Sequence, residues 1–168
     1  MTAADVDIRE ARTSDVRAIR TLMDAYAAER ILLSKATVTL FEDVQEFYVA
    51  EVDGVVVGCG ALHVLWEDLA EVRTLAVDKQ HRGRGIGDLL LRRLLQQARH
   101  LGVARVFCLT FEVDFFSRHG FAEIDGAPVS HDVYEQLLES YDEGVAEFLG
   151  LERVKPNTLG NPRMLLVL

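Results

Sequence analysis

The segment Asp78–Asp88, DKQHRGRGIGD, concentrates glycines and basic side chains in a chain that is acidic overall. Its glycines, Gly83, Gly85 and Gly87, come after the apolar run VRTLAV and before the amphipathic run LLLRRLLQQARHL. Backbone N–H groups at a helix N-terminus bind anions, and glycine is needed where a Cβ would keep the anion from the amides. The pattern therefore predicts a site for a small anionic group, with a simple strand-to-helix turn as the alternative.

Two familiar nucleotide-binding loops do not match this segment. A Walker A loop ends in Gly-Lys-Ser/Thr, whereas this segment reads GRGIGD. A dinucleotide fingerprint requires G-x-G-x-x-G, whereas the spacing from Gly83 is G-x-G-x-G. The net charge of −9 at pH 7 also argues against general nucleic-acid binding, because phosphate backbones need a basic face. A small pyrophosphate-bearing ligand is the interpretation that fits.

The surrounding pattern predicts alternating helices and strands. Residues 13–30 have apolar side chains at helical spacing, and residues 34–45 are expected to form a shorter helix. A hairpin is predicted at Asp53-Gly54, because this pair adopts the positive φ angles of a tight turn. Further strands are predicted in DLAEVRTLAVD, ARVFCLTF and PRMLLVL, and helices over residues 85–101, in DFFSRHGF and in SHDVYEQLLESYDEGVAEFL. The expected fold class is α/β, an α+β mixed sheet with helices on both faces.

Length and composition predict one globular domain over residues 1–168. Hydrophobic residues make up 49% of the chain and charged residues 27%, a balance typical of soluble domains. No apolar run reaches the roughly 18–20 residues of a membrane span, and the acidic N-terminal residues do not resemble a secretory signal. Cys59 and Cys108 lie in apolar runs without a CxxC pair, which predicts reduced core cysteines and a cytoplasmic location. No His, Cys and Asp grouping has metal-ligand spacing, so no metal is expected.

The loop and its surroundings resemble the GNAT acetyltransferases. Gln80-x-x-Gly83-x-Gly85 is similar to the motif with which that superfamily binds the pyrophosphate of coenzyme A, and FFSRHGF is similar to its later F-Y-x-x-x-G-F element. The resemblance implies acetyl-CoA as co-substrate and the GNAT fold, a mostly antiparallel sheet with a splayed parallel strand pair. The cofactor-binding residues carried over from the resemblance are Leu75, Ala76, Val77, Arg82, Gly83, Arg84, Gly85, Ile86, Gly87, Asp88 and Phe116.

Longer stretches resemble the short, single-domain N-acetylglutamate synthases; they are ILLSKATVTLFEDVQEFYVAEVDGVVVGCGALHVL, VFCLTF and YDEGVAEFLGLERVKPNTLGNPRMLLVL. This implies an amino-acid N-acetyltransferase that acetylates the α-amine of L-glutamate, with L-glutamine as a competing substrate, in the first step of arginine biosynthesis. The rival hypotheses are a GNAT enzyme acting on another small amine or a protein N-terminus, and a catalytically silent acyl-CoA-binding module. The expected partner is a small amino acid, with neither nucleic acid nor membrane. The oligomeric state stays open, with a homodimer among the candidates.

Acetyl transfer to an amine requires a base for the ammonium, a polarised thioester carbonyl and a proton for the departing thiolate. Glu71, four residues before Leu75 on the same predicted strand and expected on the same face, is the candidate base. A surface glutamate paired with Arg73 is the alternative. The resemblance implies that the Leu75 N–H polarises the acetyl carbonyl. The family's tyrosine is replaced here by Phe116, so the adjacent Ser117 is the candidate acid, and protonation by the attacking amine would also suffice.

The amino-acid substrate brings an α-carboxylate, which calls for a cationic side chain. Lys35 falls where related synthases carry a basic residue, and Arg73 and Arg163 are further candidates. Glu112 stands where the long-form synthases have an arginine. Its charge is expected to repel a γ-carboxylate unless it binds the substrate's ammonium, and a helix cap is its alternative role.

Overall fold

The computed structural model describes residues 5–29, 35–150 and 160–168. Over these residues the chain alternates strands and α-helices in a mixed α/β arrangement, as predicted. The strands are β1 (Asp7–Glu10), β2 (Phe47–Val52), β3 (Val55–Trp66), β4 (Leu69–Val77), β5 (Arg105–Leu109), β6 (Ala122–Ile124) and β7 (Arg163–Val167). The helices are α1 (Val16–Ala27), α2 (Thr37–Glu42), α3 (Ile86–Leu101), α4 (Val113–Arg118), α5 (His131–Leu137) and α6 (Glu143–Leu149). Residues 30–34 and 151–159, which carry parts of the resemblance to the synthases, lie outside the described residues.

The strands are hydrogen-bonded in the order β1-β2-β3-β4-β5-β7-β6. The pairs β1/β2, β2/β3, β5/β7 and β6/β7 are antiparallel. β4 and β5 are parallel, and their ladder joins Leu69–Glu71 to Arg105–Phe107. β4 itself continues to Val77, so the parallel pairing covers only its first part. The predicted sheet, mostly antiparallel with a parallel pair, is confirmed.

The chain divides into two compact units, Met1–His63 with Val72–Gly102 and Val64–Glu71 with Val103–Leu168. In the first unit the predicted apolar face of α1 is confirmed, because all its members are buried; they are Val16, Ile19, Leu22, Met23 and Tyr26. They form a core with side chains from α2 and β2 to β4. The core of the second unit consists of Leu65, Leu69, Phe107, Leu137, Val145, Phe148 and Leu149. Apolar burial of this kind is the main favourable contribution to folding.

Helix α3 packs closely in the first unit because two glycines of β3 leave room for it. A Cβ at Gly58 would lie 3.0 Å from Leu90 Cδ1, and one at Gly60 would lie 2.9 Å from Leu94 Cδ1. α3 ends as predicted at Gly102, whose φ of 87° is the left-handed conformation that glycine adopts readily. This close packing fixes the position of α3 and therefore of its N-terminus, which directly follows the glycine loop.

Arg9 ties β1 to the beginning of α1. Its guanidinium donates to the Asp15 carboxylate oxygens at 2.8 and 2.9 Å and to Glu51 at 2.8 Å. The hydrogen bonds from Arg9 lower the pKa of Asp15 against the opposing effect of burial. Asp15 is the N-cap residue of α1 and is buried, so this ion-pair network joins the start of α1 to β1 and β2.

The structure departs from the predicted elements in its short polar segments. The stretch from Ser130 to Gly150 forms two helices where one was predicted, because Asp142 begins α6 by accepting a hydrogen bond from the Val145 N–H at 2.9 Å. β1 and β6 were not predicted, since both are short and carry exposed side chains without an apolar repeat.

The predicted hairpin is confirmed, with φ of 50° at Asp53 and 78° at Gly54. No helix within the described ranges is long and apolar enough to cross a membrane.

Candidate active site

The glycine-rich segment follows β4 and leads into the N-terminus of α3, as predicted. It begins with a 3₁₀ turn over Lys79–His81, which Asp78 caps by accepting a hydrogen bond from the Gln80 N–H at 2.9 Å. Gly83 and Gly85 have φ angles of 76° and 77°, and no described atom lies within 4 Å of a Cβ built at either position. The backbone here is therefore open, and a side chain would be strained.

Gly85 is the N-cap of α3 and has no side chain that could accept hydrogen bonds from the first N–H groups of the helix. Residues 82–85 are exposed. The first N–H groups of an α-helix have no intrahelical acceptor, and the helix dipole adds partial positive charge at that end. This geometry suits an anionic group such as a pyrophosphate. Among the other predicted cofactor residues, Leu75, Val77, Gly87 and Asp88 are half-buried, Ala76 and Ile86 are buried, and Arg84 is exposed.

Tyr26 of α1 contacts this segment through its hydroxyl and its ring, whereas helical spacing identified it only as a core residue. Its hydroxyl donates to the Val77 carbonyl and accepts a hydrogen bond from Arg82 Nε at 3.0 Å. The Arg82 guanidinium lies 5.1 Å from the centroid of the ring, and Lys79 Nζ lies 5.7 Å from it. Lys79 also pairs with Glu29, just beyond α1. No pattern in the sequence signals these partners of the hydroxyl.

β4 departs from regular extended geometry at Thr74, whose φ is 56°. The thiol of Cys59 donates to the Thr74 carbonyl at an S···O distance of 3.4 Å, and burial raises the pKa of Cys59 to about 12. The thiol is therefore neutral at pH 7 and acts as a donor that supports the irregular strand. Side-chain alternation cannot be counted through a residue with positive φ. Spacing alone thus does not place Glu71 and Leu75 on one face.

Lys35 precedes α2 in the first unit and is half-buried. Its carbonyl accepts a hydrogen bond from Arg20 Nη1, which anchors the main chain at this point. The ammonium group lowers the pKa of Cys59, against the larger effect of burial, so its charge lies close to β3. Arg73, the other cationic candidate of this unit, is half-buried on β4.

Glu71 is a buried carboxylate in the second unit. It is 4% exposed and stands opposite Phe107 in the parallel ladder. Burial raises the pKa of Cys108, and the charge of Glu71 raises it further. Burial lowers the pKa of Arg163, and Glu71 opposes that shift. Glu71 pairs with Phe107 on one side of β5, and Arg163 pairs with Leu109 on the other side. The alternative of a surface glutamate is wrong because the side chain is buried, and its pairing with Arg73 stays a prediction.

Arg163 has contacts that assign it a structural role. Its guanidinium donates to the carbonyls of Phe148 at 2.7 Å, Glu147 at 3.1 Å and Gly126 at 3.1 Å, and it lies 5.6 Å from the centroid of the Phe107 ring. Two of these carbonyls belong to the last turn of α6, which needs acceptor partners at its C-terminus. Arg163 therefore holds the last turn of α6, and its contact with the substrate carboxylate stays a prediction.

Helix α4 carries or adjoins the remaining candidates. Phe116 is buried and packs edge-to-face on Phe121, with 5.1 Å between ring centroids, whereas Ser117 is exposed. Glu112 occupies the N-cap position of α4, but its side chain makes no capping hydrogen bond. The helix-cap alternative for this carboxylate is therefore wrong, and the side chain is exposed.

Comparison with known proteins identifies the family. The sequence profile described as the Acetyltransferase (GNAT) family matches residues 14–121 of the chain. The chain belongs to the GNAT acetyltransferase family. This acetyltransferase is 62% identical, over 164 residues, to an amino-acid acetyltransferase of Mycobacterium tuberculosis, and the match covers 96% of this chain and 94% of that protein.

Solved structures show the same relationship in three dimensions. A Mycobacterium tuberculosis protein in complex with CoA and a second ligand matches with a TM-score of 0.92 and 61% identity over 96% of this chain and 99% of that chain. N-acetylglutamate synthase from Neisseria gonorrhoeae, complexed with coenzyme A and N-acetyl-glutamate, matches with a TM-score of 0.78 and 25% identity. That match covers 97% of this acetyltransferase but 35% of the Neisseria chain.

Within the described part of this chain, no group of three or more His, Cys, Asp or Glu side chains is placed to hold a metal ion.

Proposed function

We propose that this acetyltransferase transfers the acetyl group of acetyl-CoA to the α-amine of L-glutamate or L-glutamine, the first step of arginine biosynthesis. The observation that carries the proposal is the 62% identity with an amino-acid acetyltransferase over 94% of that protein's length. The CoA in the similar Mycobacterium tuberculosis structure and the open glycine loop at the start of α3 both support acetyl-CoA as the co-substrate.

In the proposed reaction, a C–N bond forms between the amine nitrogen and the acetyl carbon, and the C–S bond of the thioester breaks. Glu71 accepts the ammonium proton, directly or through water, so that the nitrogen lone pair can attack. The Leu75 N–H stabilises the oxyanion on the former carbonyl. The nitrogen then loses its second proton and the departing thiolate receives one, either directly from the nitrogen or through the Ser117 hydroxyl, which gives its own proton to the thiolate and takes the proton of the nitrogen; Phe116 has none to give.

The decisive experiment measures release of the CoA thiol from acetyl-CoA with a panel of amino acids and short peptides. Thiol release is expected with glutamate and glutamine, and only at background level with peptides that offer an N-terminal amine. Preferential reaction with a peptide would favour the protein N-terminus as substrate. CoA binding without thiol release from any amine would instead favour the silent binding module.

We also propose that the chain forms a single domain and that the protein is located in the cytoplasm. The family profile spans residues 14–121 and so includes segments of both compact units, and β3 and β4 each run from one unit into the other. The buried thiols of Cys59 and Cys108 are not joined in a disulfide, which suits a reducing compartment.

Replacing Lys35 with alanine is expected to raise the KM for glutamate and for glutamine by a similar factor, about 10-fold or more, because both substrates carry the α-carboxylate. Steady-state kinetics with saturating acetyl-CoA would measure it. Lys35→Met should show the same rise, since it keeps the aliphatic stem and removes only the charge, and Lys35→Arg should restore much of the affinity. If Lys35→Met kept the wild-type KM values, Lys35 would not be part of the amino-acid site.

Replacing Glu112 with glutamine is expected to improve kcat/KM for glutamate relative to glutamine by about 3–10-fold, because a like charge near the γ-carboxylate is removed. Asp114→Asn is a matched control, since Asp114 is also exposed and acidic and lies in the first turn of α4. It should leave the ratio unchanged. An equal loss with both substrates in Glu112→Gln would show that Glu112 binds the ammonium instead.

A further inference from the structure

A single hydroxyl connects the end of β4 to the glycine loop. The Tyr26 hydroxyl donates to the carbonyl of Val77, the last residue of β4, and accepts from Arg82 Nε, immediately before Gly83. Between these two contacts the chain turns through Lys79–His81. Both ends of the turn are therefore attached to one side chain of α1.

The hydroxyl end of this attachment is shielded from solvent, because Tyr26 is 6% exposed, whereas the donor Arg82 is an exposed residue. A hydrogen bond to a cationic donor is stronger than a neutral one, and its strength grows as water is excluded. The neighbouring ion pair is different in kind, because the side chains of Lys79 and Glu29 are 43% and 48% exposed. An exposed pair of this type contributes little. Of these contacts, the hydroxyl of Tyr26 is the one able to hold the loop.

We propose that Tyr26 is a positioning residue for the pyrophosphate loop: it fixes Val77 and Arg82, so that the amides from Arg82 onward are in binding geometry before CoA arrives. The inference rests on the proposed use of acetyl-CoA and adds to it a residue outside the loop. A preorganised loop loses less conformational freedom when its ligand binds, and that difference appears as affinity. Tyr26 makes no contact with the reacting atoms in this proposal, so the chemical step does not depend on it.

The test is Tyr26→Phe, which keeps the buried ring and its contacts with the two cations but removes both hydrogen bonds of the hydroxyl. The Kd for CoA, measured by calorimetry, and the KM for acetyl-CoA are expected to rise about 5–30-fold, as the loss of one or two hydrogen bonds implies. The kcat at saturating acetyl-CoA is expected to stay within about twofold of wild type, because the bound ground state and the transition state lose the same amount of cofactor-binding energy.

Tyr48→Phe is the matched control in the same unit. Tyr48 is 3% exposed, its ring lies 4.4 Å from the Arg93 guanidinium, and burial raises the pKa of its hydroxyl while Arg93 opposes that shift. It has the same ring and hydroxyl as Tyr26 and also lies beside a guanidinium, but it belongs to β2. Its variant should lose comparable thermal stability and keep wild-type affinity for CoA.

Arg82→Gln provides a second, independent variant that leaves Tyr26 in place. If Tyr26 acts through Arg82, the effects of Tyr26→Phe and Arg82→Gln on the Kd for CoA will be smaller together than the sum of the separate effects. Wild-type CoA affinity in Tyr26→Phe, or an equal loss in Tyr48→Phe, would overturn the positioning role while leaving the proposed function intact; Arg82→Gln alone cannot decide it, because Arg82 is itself a predicted cofactor-binding residue. Absence of CoA binding by the wild-type protein would instead overturn the proposed function, and the positioning role with it.

Discussion

Glu71→Gln is expected to lower the turnover number by about 10²–10⁴-fold, the usual effect of losing a general base. Glutamine has the size and hydrogen-bonding oxygen of glutamate but cannot accept the ammonium proton at neutral pH. The residual rate should rise with pH, because the amine must then lose its proton to solvent. Acetyl-CoA affinity should stay at the wild-type value, since the cofactor loop is a separate segment. Stopped-flow thiol release and calorimetry would measure the two effects.

Glu147→Gln controls for the electrostatic effect of Glu71 on its surroundings. The charges of Glu71 and Glu147 both oppose the lowering of the Arg163 pKa by burial, but Glu147 lies on α6 and has no proposed part in proton transfer. The control should keep wild-type turnover even if it costs some stability. Wild-type turnover and pH profile in a folded Glu71→Gln protein would mean that another group, or bulk water, takes the proton.

Gly85→Val is expected to weaken CoA binding at least tenfold, which corresponds to about 1.4 kcal/mol. The φ of 77° at Gly85 is strained for any L-residue and more so for a β-branched one, and a side chain there enters the open space in front of the α3 amides. The variant should therefore lose both stability and cofactor affinity. Calorimetric titration with CoA, at a temperature where the variant is folded, measures the second effect alone.

The variant Gly102→Val distinguishes the effect of backbone strain on stability from the effect of a side chain that blocks CoA binding. Gly102 lies at the opposite end of α3 and has a φ of 87°, and among the described residues beyond its chain neighbours no atom lies within 4 Å of a Cβ built on it. Both substitutions should lower the melting temperature, but only Gly85→Val should weaken CoA binding. Equal CoA affinities in the two variants would contradict the assignment of the glycine loop to the pyrophosphate.

Features that depend on neighbours in sequence could be predicted without the structure. The apolar stripe of α3 and its end at Gly102 follow from helical periodicity and from the glycine that a helix C-terminus favours. The turn at Asp53-Gly54 follows from the same tolerance of positive φ. The glycine loop was recognisable because its glycines, its basic residues and the helix that follows are contiguous.

Contacts between distant residues could not be predicted. Tyr26 and Arg82 are 56 positions apart, and periodicity shows that Tyr26 is buried without indicating where its hydroxyl points. The role of Arg163 depends on carbonyls of α6 that only the packed chain brings within reach. The break between α5 and α6 came from a side-chain cap at Asp142, which competed successfully with the helical pattern.

The sequence by itself thus determined the class of fold, the place of the glycine loop and the type of chemistry, since each rests on local patterns or on resemblance over most of the chain. Tertiary structure alone decided the surroundings of the individual groups. It buried Glu71, exposed Glu112, gave Thr74 a φ of 56° and committed Arg163 to α6. The physical reason is that burial, backbone strain and the pKa of a group depend on everything packed around it, which includes residues from many parts of the chain.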